Sequence, residues 1–345
     1  MNAWSMALVL LIVSTSAVQA DPQDKKKMEP EDQRTVAALK QFERSLDMSF
    51  RMDGDGYIFD IHMWGPKITD TKLAFMMVHI KRLRRFHGLE LNGTAITAEG
   101  LKQLRELPKL KSLWIEDADI VADGLAHLKD VPGLERLLLN DTDVTDASLV
   151  HLKDLKSLTA LTIYYEGITD AGLEHIRELT NLTELRLSST EVTDAGLAKL
   201  KNLTKLKSLS LSHSKITDRG LVHLKRMTKL THLRVMSEQI TDAGLVHLVG
   251  LKDLEHLYLN YCKITDRAVA QLSQMRGLRW LDLNDTQMTQ EGIGQLKRAL
   301  PNARIQFPLE IGKAPVRPPA VLYRFKRAPG EFGPEQAPGP LKRAD

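Results

Sequence analysis

The chain has 345 residues, with 48 Lys+Arg against 44 Asp+Glu for a formal charge of +4. That balance excludes a dedicated nucleic-acid binder, which gathers basic charge on one face; the single cysteine, Cys262, excludes a disulfide framework and a multi-cysteine metal site. Apolar residues make up 43%, ample for a large core, but aromatics are only 5%, thin for a deep enzyme pocket.

Residues 1–20, MNAWSMALVLLIVSTSAVQA, carry no charged side chain. Their apolar run, Met6–Val13, is far short of the ~20 residues that span a bilayer. With Val18-Gln19-Ala20 as a small-residue cleavage site, the segment reads as a signal peptide. The protein is therefore expected to be exported: periplasmic, held in the cell envelope, or secreted. The alternative is an uncleaved anchor, which would be its one attachment to a membrane. Residues 21–57 form a linker, a capping helix and a hairpin. Pro30-Glu31 followed by Val36, Leu39, Phe42 and Leu46 predicts an amphipathic helix over the first repeat. Asp53-Gly54-Asp55-Gly56 has the alternating acids of a calcium loop, but Tyr57 and Trp64 fill the next ligand position and the closing one. A hairpin turn leading into a strand over Tyr57–Met63 is expected instead.

From residue 58 the chain repeats every 24 residues. One strand leucine recurs as Leu89, Leu113, Leu137, Leu161, Leu185, Leu209, Leu233, Leu257 and Leu281. An Ile-Thr-Asp block follows in phase at Ile168, Val192, Ile216, Ile240 and Ile264, with weaker copies at Ile96, Ile120, Val144 and Met288. An earlier copy, Ile61 with Ile68-Thr69-Asp70, sits 28 residues upstream of Leu89, which makes about ten repeats. Alternation such as Leu185-x-Leu187 predicts a short strand. Leu197, Leu200 and Leu203, spaced by three, predict a short helix, with Thr193-Asp194 supplying acceptors to its first amides. The recurrent glycine of this block is replaced by Ser148 and Ala268, so close packing of neighbouring turns, not a left-handed backbone, explains it. A single unit cannot bury its apolar positions, whereas a stack buries them as one core.

The pattern L-x-x-L-x-L-x-x-T-x-[IV]-T-D-x-G-L-x-x-L resembles the leucine-rich repeat, particularly its ribonuclease-inhibitor-like and cysteine-containing subclasses. It is similar to the I-T-D-x-G-L repeats of exported bacterial proteins. The resemblance covers about 240 residues and implies a right-handed α/β solenoid over 58–307, a horseshoe with parallel strands on the concave face and short helices on the convex face. The position usually held by Asn or Cys carries Thr94, Thr142, Thr190, Thr286 and Cys262, and Glu at 166 and 238, where less uniform packing is expected. Past Pro301 a last strand is expected over Ala303–Phe307. Residues 308–345 hold eight of the fourteen prolines and seven Lys/Arg against four acids, the composition of a disordered tail.

Function in such a scaffold is expected on the outward strand positions, read as four columns. Their N-terminal third is acidic (Glu90, Glu116, Asp117, Asp141) and their middle rich in serine. Their C-terminal third gathers His232, Arg234, Met236, His256, Tyr258, Tyr261 and Trp280. With Trp114, Tyr164 and Tyr165, six of the ten Trp and Tyr residues lie on these columns, and such residues anchor protein interfaces. The candidate binding residues are therefore His232, Arg234, His256, Tyr258, Tyr261, Trp280, Tyr164, Tyr165 and Trp114. Scattered surface aromatics are also ordinary. His232 and His256 with Asp282 suggest a metal site, but Asp282 belongs to a neighbouring column. Ser210, His232 and Asp282 lack a nucleophile elbow or an oxyanion donor. His127, His151, His175, His223 and His247 share one repeat position on the helical side, as repeat copying alone would produce. No catalytic residue, metal or cofactor is assigned. The expectation is a monomeric, exported, non-enzymatic scaffold that binds a protein partner on its concave face. Recognition of a cell-wall polysaccharide through Tyr and Trp is the alternative. An F-box-type adaptor of ubiquitin ligation, whose repeats these also resemble, ranks lower, because no F-box-like domain precedes the repeats.

Overall fold

The computed structural model describes residues 28–307 except 44, 119–121, 165, 166, 189 and 213. The signal segment and the proline-rich tail lie outside the described residues, as do Tyr165, Glu166, Ser189 and His213. The helix Pro30–Glu43 comes first and buries Val36 and Leu39, two of its four expected apolar positions; Phe42 and Leu46 pack half-buried against the same core. One open sheet of twelve strands follows, ordered as in the chain. Its strands are β1 (Met48–Met52), β2 (Ile58–Trp64), β3 (Gly88–Asn92), β4 (Ser112–Glu116), β5 (Arg136–Asn140), β6 (Ala160–Tyr164), β7 (Glu184–Ser188), β8 (Ser208–Ser212), β9 (His232–Met236), β10 (His256–Tyr258), β11 (Trp280–Asp282) and β12 (Arg304–Gln306). The antiparallel pair β1–β2 caps one end and every later pairing is parallel.

Sequence phase and spatial register coincide. Ile61, Leu89, Leu113, Leu137, Leu161, Leu185, Leu209, Leu233, Leu257, Leu281 and Ile305 stand opposite one another across the sheet. The first ten are at most 2% exposed, and only Ile305, on the edge strand, is half-buried. The strand over Tyr57–Met63 begins and ends one residue later than expected. Its turn is held by the Asp53 carboxylate, which accepts from the Asp55 and Tyr57 amides at 3.0 Å. Arg85 spans Asp53 and Asp55 at 2.6 and 2.9 Å and covers the Tyr57 ring. A guanidinium thus occupies the place a calcium ion would need.

The expected short helices are of two kinds. Asp70–Ile80, Asp170–Ile176 and Asp194–Lys199 are α-helical, but Ala122–Asp130, Ser148–Leu152, Gly220–Arg226 and Asp242–His247 are 3-10 helices. Leucines every third residue suit a helix of three residues per turn, which stacks them in one inward row.

The Thr-Asp pair divides its work in a way the pattern hid. Thr is the N-cap: Thr193, for example, accepts from the Ala195 amide at 3.2 Å. Asp reaches forward into the next repeat instead. Asp218 accepts the Thr241 amide at 2.7 Å and its hydroxyl at 2.6 Å, and the same clasp joins Asp70 to Thr97, Asp146 to Thr169, Asp170 to Thr193, Asp194 to Thr217, Asp242 to Thr265 and Asp266 to Thr289. The clasp crowds the glycine, although Ala268 is accommodated beside the intact Asp242–Thr265 clasp. A Cβ at Gly100, Gly172, Gly196, Gly220, Gly244 or Gly292 would lie within 2.1–2.4 Å of the previous repeat's Asp oxygen, and none of these glycines has positive φ. Ser148 is accommodated because the residue that would clasp its repeat is Ala122, and the Ser148 hydroxyl accepts the Thr145 amide at 3.1 Å in place of the missing carboxylate.

At the Glu238 turn the interior place passes to its neighbour: Glu238 is exposed, while Ser237 is buried and donates to the Ile216 carbonyl at 2.8 Å.

Candidate binding face

Not every predicted outward position reaches solvent. Ser112, Ser188, Ser212 and Ser237, Glu90 and Thr162 are buried, because small or partnered side chains sink between their neighbours on adjacent strands. Gly93, Asp117, Asp141, Tyr261 and Asp285, all in the last column, adopt left-handed backbone with φ between 46° and 60°. In this turn the amide of one repeat donates to the strand-end carbonyl of the next, as Asp117 does to Asn140 at 3.1 Å. Glycine and aspartate tolerate such a φ; tyrosine rarely does.

The acidic end is more structured than its composition suggested. Glu116 accepts the side-chain amides of Asn92 and Asn140 at 3.0 and 2.7 Å. Glu90 lies 2.9 Å from His62, which is 3.5 Å from Asp60, itself 3.6 Å from Arg51. Burial alone would lower His62, yet its bonds to Asp60 and Glu90 and their charges raise it to about 9. Burial raises Glu90, against the pull of His62. Sequence reasoning missed His62 and Asp60 because the columns were begun at β3. His62 is in register with Glu90, so carrying the column back one strand would have found it.

At the other end, β9, β10, β11 and β12 bring most of the predicted binding residues together. His232 and His256 are register partners, their rings stacked at 4.2 Å and 6° from parallel. Burial, then the neighbouring His256, lowers His232 to about 4; burial also lowers His256. Both imidazoles are thus neutral at pH 7, so the rings stack without repulsion. Thr231 Oγ1 lies 2.9 Å from His232 Nδ1. Arg234 covers Tyr258 at 4.6 Å, Tyr258 and Trp280 have centroids 6.5 Å apart, and Arg304 covers Trp280 at 5.1 Å. Four side chains on four consecutive strands make one ladder. Sequence reading omitted Arg304, because the columns stopped at β11. His256 Nδ1 and Trp280 Nε1, on register partners, are buried without a hydrogen-bond partner. Tyr261 stands at the end of this patch, 41% exposed.

The remaining candidates are elsewhere. Trp114 and Tyr164 are half-buried on β4 and β6, and three or more strand steps of ~4.8 Å separate them from the patch. Asp282 is in register with Tyr258, not with the histidines, and it accepts the Asn284 amide at 3.0 Å. Among the described residues no three His, Cys, Asp or Glu side chains gather as metal ligands. The helix-side histidines 127, 151, 175, 223 and 247 are half-buried, each next to a buried Leu or Ile. Two cavities, of about 260 and 340 Å³, also lie off the strand face, lined by Arg276, Leu278 and Pro301 and by Lys129, His151 and Asp154. Among the described residues no helix is long and apolar enough to cross a membrane.

Residues 178–201 and 202–224 match the family model described as Leucine Rich repeat. The leucine register that carries this match runs unbroken across the sheet, so the repeats of the chain are leucine-rich repeats. Among solved structures it is similar to an internalin (inlF) of Listeria monocytogenes, with 18% identity and a TM-score of 0.47 over 85% of this chain and 98% of that one. It is also similar to an internalin C2 (inlC2) of the same organism, with 20% identity and a TM-score of 0.44 over 76% and 93%. No curated protein matches its sequence.

Proposed function

We propose that this protein is an exported, non-enzymatic leucine-rich repeat scaffold that binds a protein partner through the C-terminal end of its strand face. The contact residues are His232, Arg234, His256, Tyr258, Tyr261 and Trp280. The export assignment rests on residues 1–20. The binding assignment rests above all on Tyr261. Four other repeats take the same left-handed turn with Gly or Asp, so the fold itself asks for a small or polar residue there. A bulky side chain held in that backbone costs about 1–3 kcal/mol, and 41% of this one stays exposed. Strain retained for an exposed side chain supports a contact role. The ladder supports a peptide over a glycan, because Arg234 and Arg304 each cover a ring face that a sugar would otherwise stack on.

The test is capture from the protein's own cell envelope by the wild type and by the double variant Tyr258→Ala with Trp280→Ala. A specific protein retained by the first and lost by the second supports the reading. Equal retention by both, with loss only when His151 and His175 on the helical side are changed, would move the site to the other face.

A further inference from the structure

The ladder also carries information about what the partner presents. Side chains on parallel strands stack along the sheet, and here the stack is Arg234, Tyr258, Trp280, Arg304 on β9, β10, β11 and β12. Because the ring faces are turned toward neighbouring side chains, the ladder meets a ligand with edges: a phenol, ring C–H groups and the rims of two guanidiniums. Ring edges and guanidiniums are the positive parts of these groups. Of the acids nearby, Glu255 lies 3.6 Å from Arg279, while Asp282 accepts the Asn284 amide and places its carboxylate charge beside Tyr258, between the two arginines.

The spacing adds a length. Arg234 and Arg304 are three strands apart and two residues out of register, so their backbones are separated by roughly 16 Å. An extended polypeptide advances ~3.4 Å per residue, so side chains four residues apart on one face are separated by ~14 Å, a span the two arginines meet by leaning inward over the rings. The residue midway between them falls over the Tyr258 and Trp280 edges. We infer that the ladder binds an extended acidic segment of a protein partner, with carboxylates at positions i and i+4 meeting the two arginines and an apolar residue at i+2 resting on the ring edges. This rests on the strand-face reading above and specifies its ligand.

The experiment uses the full chain and a capped nine-residue serine peptide carrying Glu at its third and seventh positions and Phe at its fifth, titrated by calorimetry. Controls replace both Glu by Gln or set the two Glu two residues apart; polygalacturonate supplies carboxylates on a sugar backbone. The expected result is binding at least tenfold tighter than either control peptide, weakened by salt and reduced about tenfold or more by Arg304→Gln or Arg234→Gln. The Gln peptide tests the charge without altering the protein, so a poorly folded variant cannot decide the outcome. Equal affinity for the Glu and Gln peptides, or no binding at millimolar peptide, overturns the inference. Preference for polygalacturonate, lost on Trp280→Ala, would keep the face and replace the protein partner by a polysaccharide. Peptide binding unchanged by Tyr258→Ala with Trp280→Ala would remove the site from this face and with it the proposed function.

Discussion

The inter-repeat clasp makes a quantitative prediction at Asp218 and Gly244. Asp218→Ala removes two acceptor contacts, to the Thr241 amide at 2.7 Å and to its hydroxyl at 2.6 Å. Hydrogen bonds to a charged group contribute about 1.5–3 kcal/mol each, and half-burial keeps the loss toward the low end, so a cost of about 2–4 kcal/mol is expected. Gly244→Ala places a Cβ 2.4 Å from Asp218 Oδ1, where something must shift, at a cost of about 1–3 kcal/mol. The two costs share one atom, so they cannot add. With the carboxylate gone the Cβ loses its closest clash, and the double variant should recover at least about 1 kcal/mol relative to the sum. Asp218→Ala with Gly244→Ser should recover more, because it rebuilds the arrangement at Ala122 and Ser148, where the serine hydroxyl accepts the Thr145 amide at 3.1 Å. Urea unfolding followed by circular dichroism measures all four proteins, with midpoints compared first, since repeat arrays can lose two-state behaviour. Additivity within about 0.5 kcal/mol would refute the account of why this glycine recurs.

Leu209, 1% exposed in the strand row of the central repeat, should cost about 2–5 kcal/mol when changed to Ala, and a loss under about 1 kcal/mol in the same unfolding assay would mean that the repeat phase is wrong. His62 is raised to about 9 from an ordinary 6.5, so the stability it contributes is fully present below pH 6.5 and is lost as pH climbs through 9. Thermal midpoints of the wild type should therefore fall across that window more steeply than those of His62→Gln, and parallel profiles would show that the Asp60–His62–Glu90 bonds contribute nothing. Tyr261→Asn should raise the unfolding midpoint by relieving the left-handed strain, on the order of 1 kcal/mol, while weakening capture of the proposed protein partner. A drop in stability would show instead that the Tyr261 ring packs for the fold.

How much of this was legible depended on whether the information repeated. The leucine row, the short strands and the hairpin at Asp53–Gly56 were readable because period-2 alternation and turn chemistry are local. The glycine was read rightly as a packing residue from two natural replacements, Ser148 and Ala268. Its actual neighbour was not readable, since the Asp that fills its space belongs to the previous repeat, and single-repeat capping logic assigned that Asp to its own helix. The 3-10 geometry was latent in leucines spaced by three, but that spacing fits a short α-helix almost as well, and only packing in a 24-residue turn decides between them.

The candidate patch was legible in which residues gather and obscure in its geometry, for a physical reason. In a parallel sheet, column and register follow from the period, so the gathering of His232, His256, Tyr258 and Trp280 could be read by counting. Which way each ring turns depends on what stands on the adjoining strand. His256 is in register with both His232 and Trp280, yet it stacks on the first, while the indole leans toward Tyr258. Burial holds the two imidazoles neutral, which frees the histidine row to stack and leaves the positive charge of the patch to Arg234 and Arg304, with Asp282 as the acid in Tyr258's row. The last arginine sits on a three-residue strand beyond the final full repeat, where counting by period has no reason to continue. The ligand chemistry proposed for the face depends on that residue. In that proposal, the cationic cap at each end of the aromatic pair is what decides for an acidic peptide on a surface that composition would assign equally to sugars or proteins.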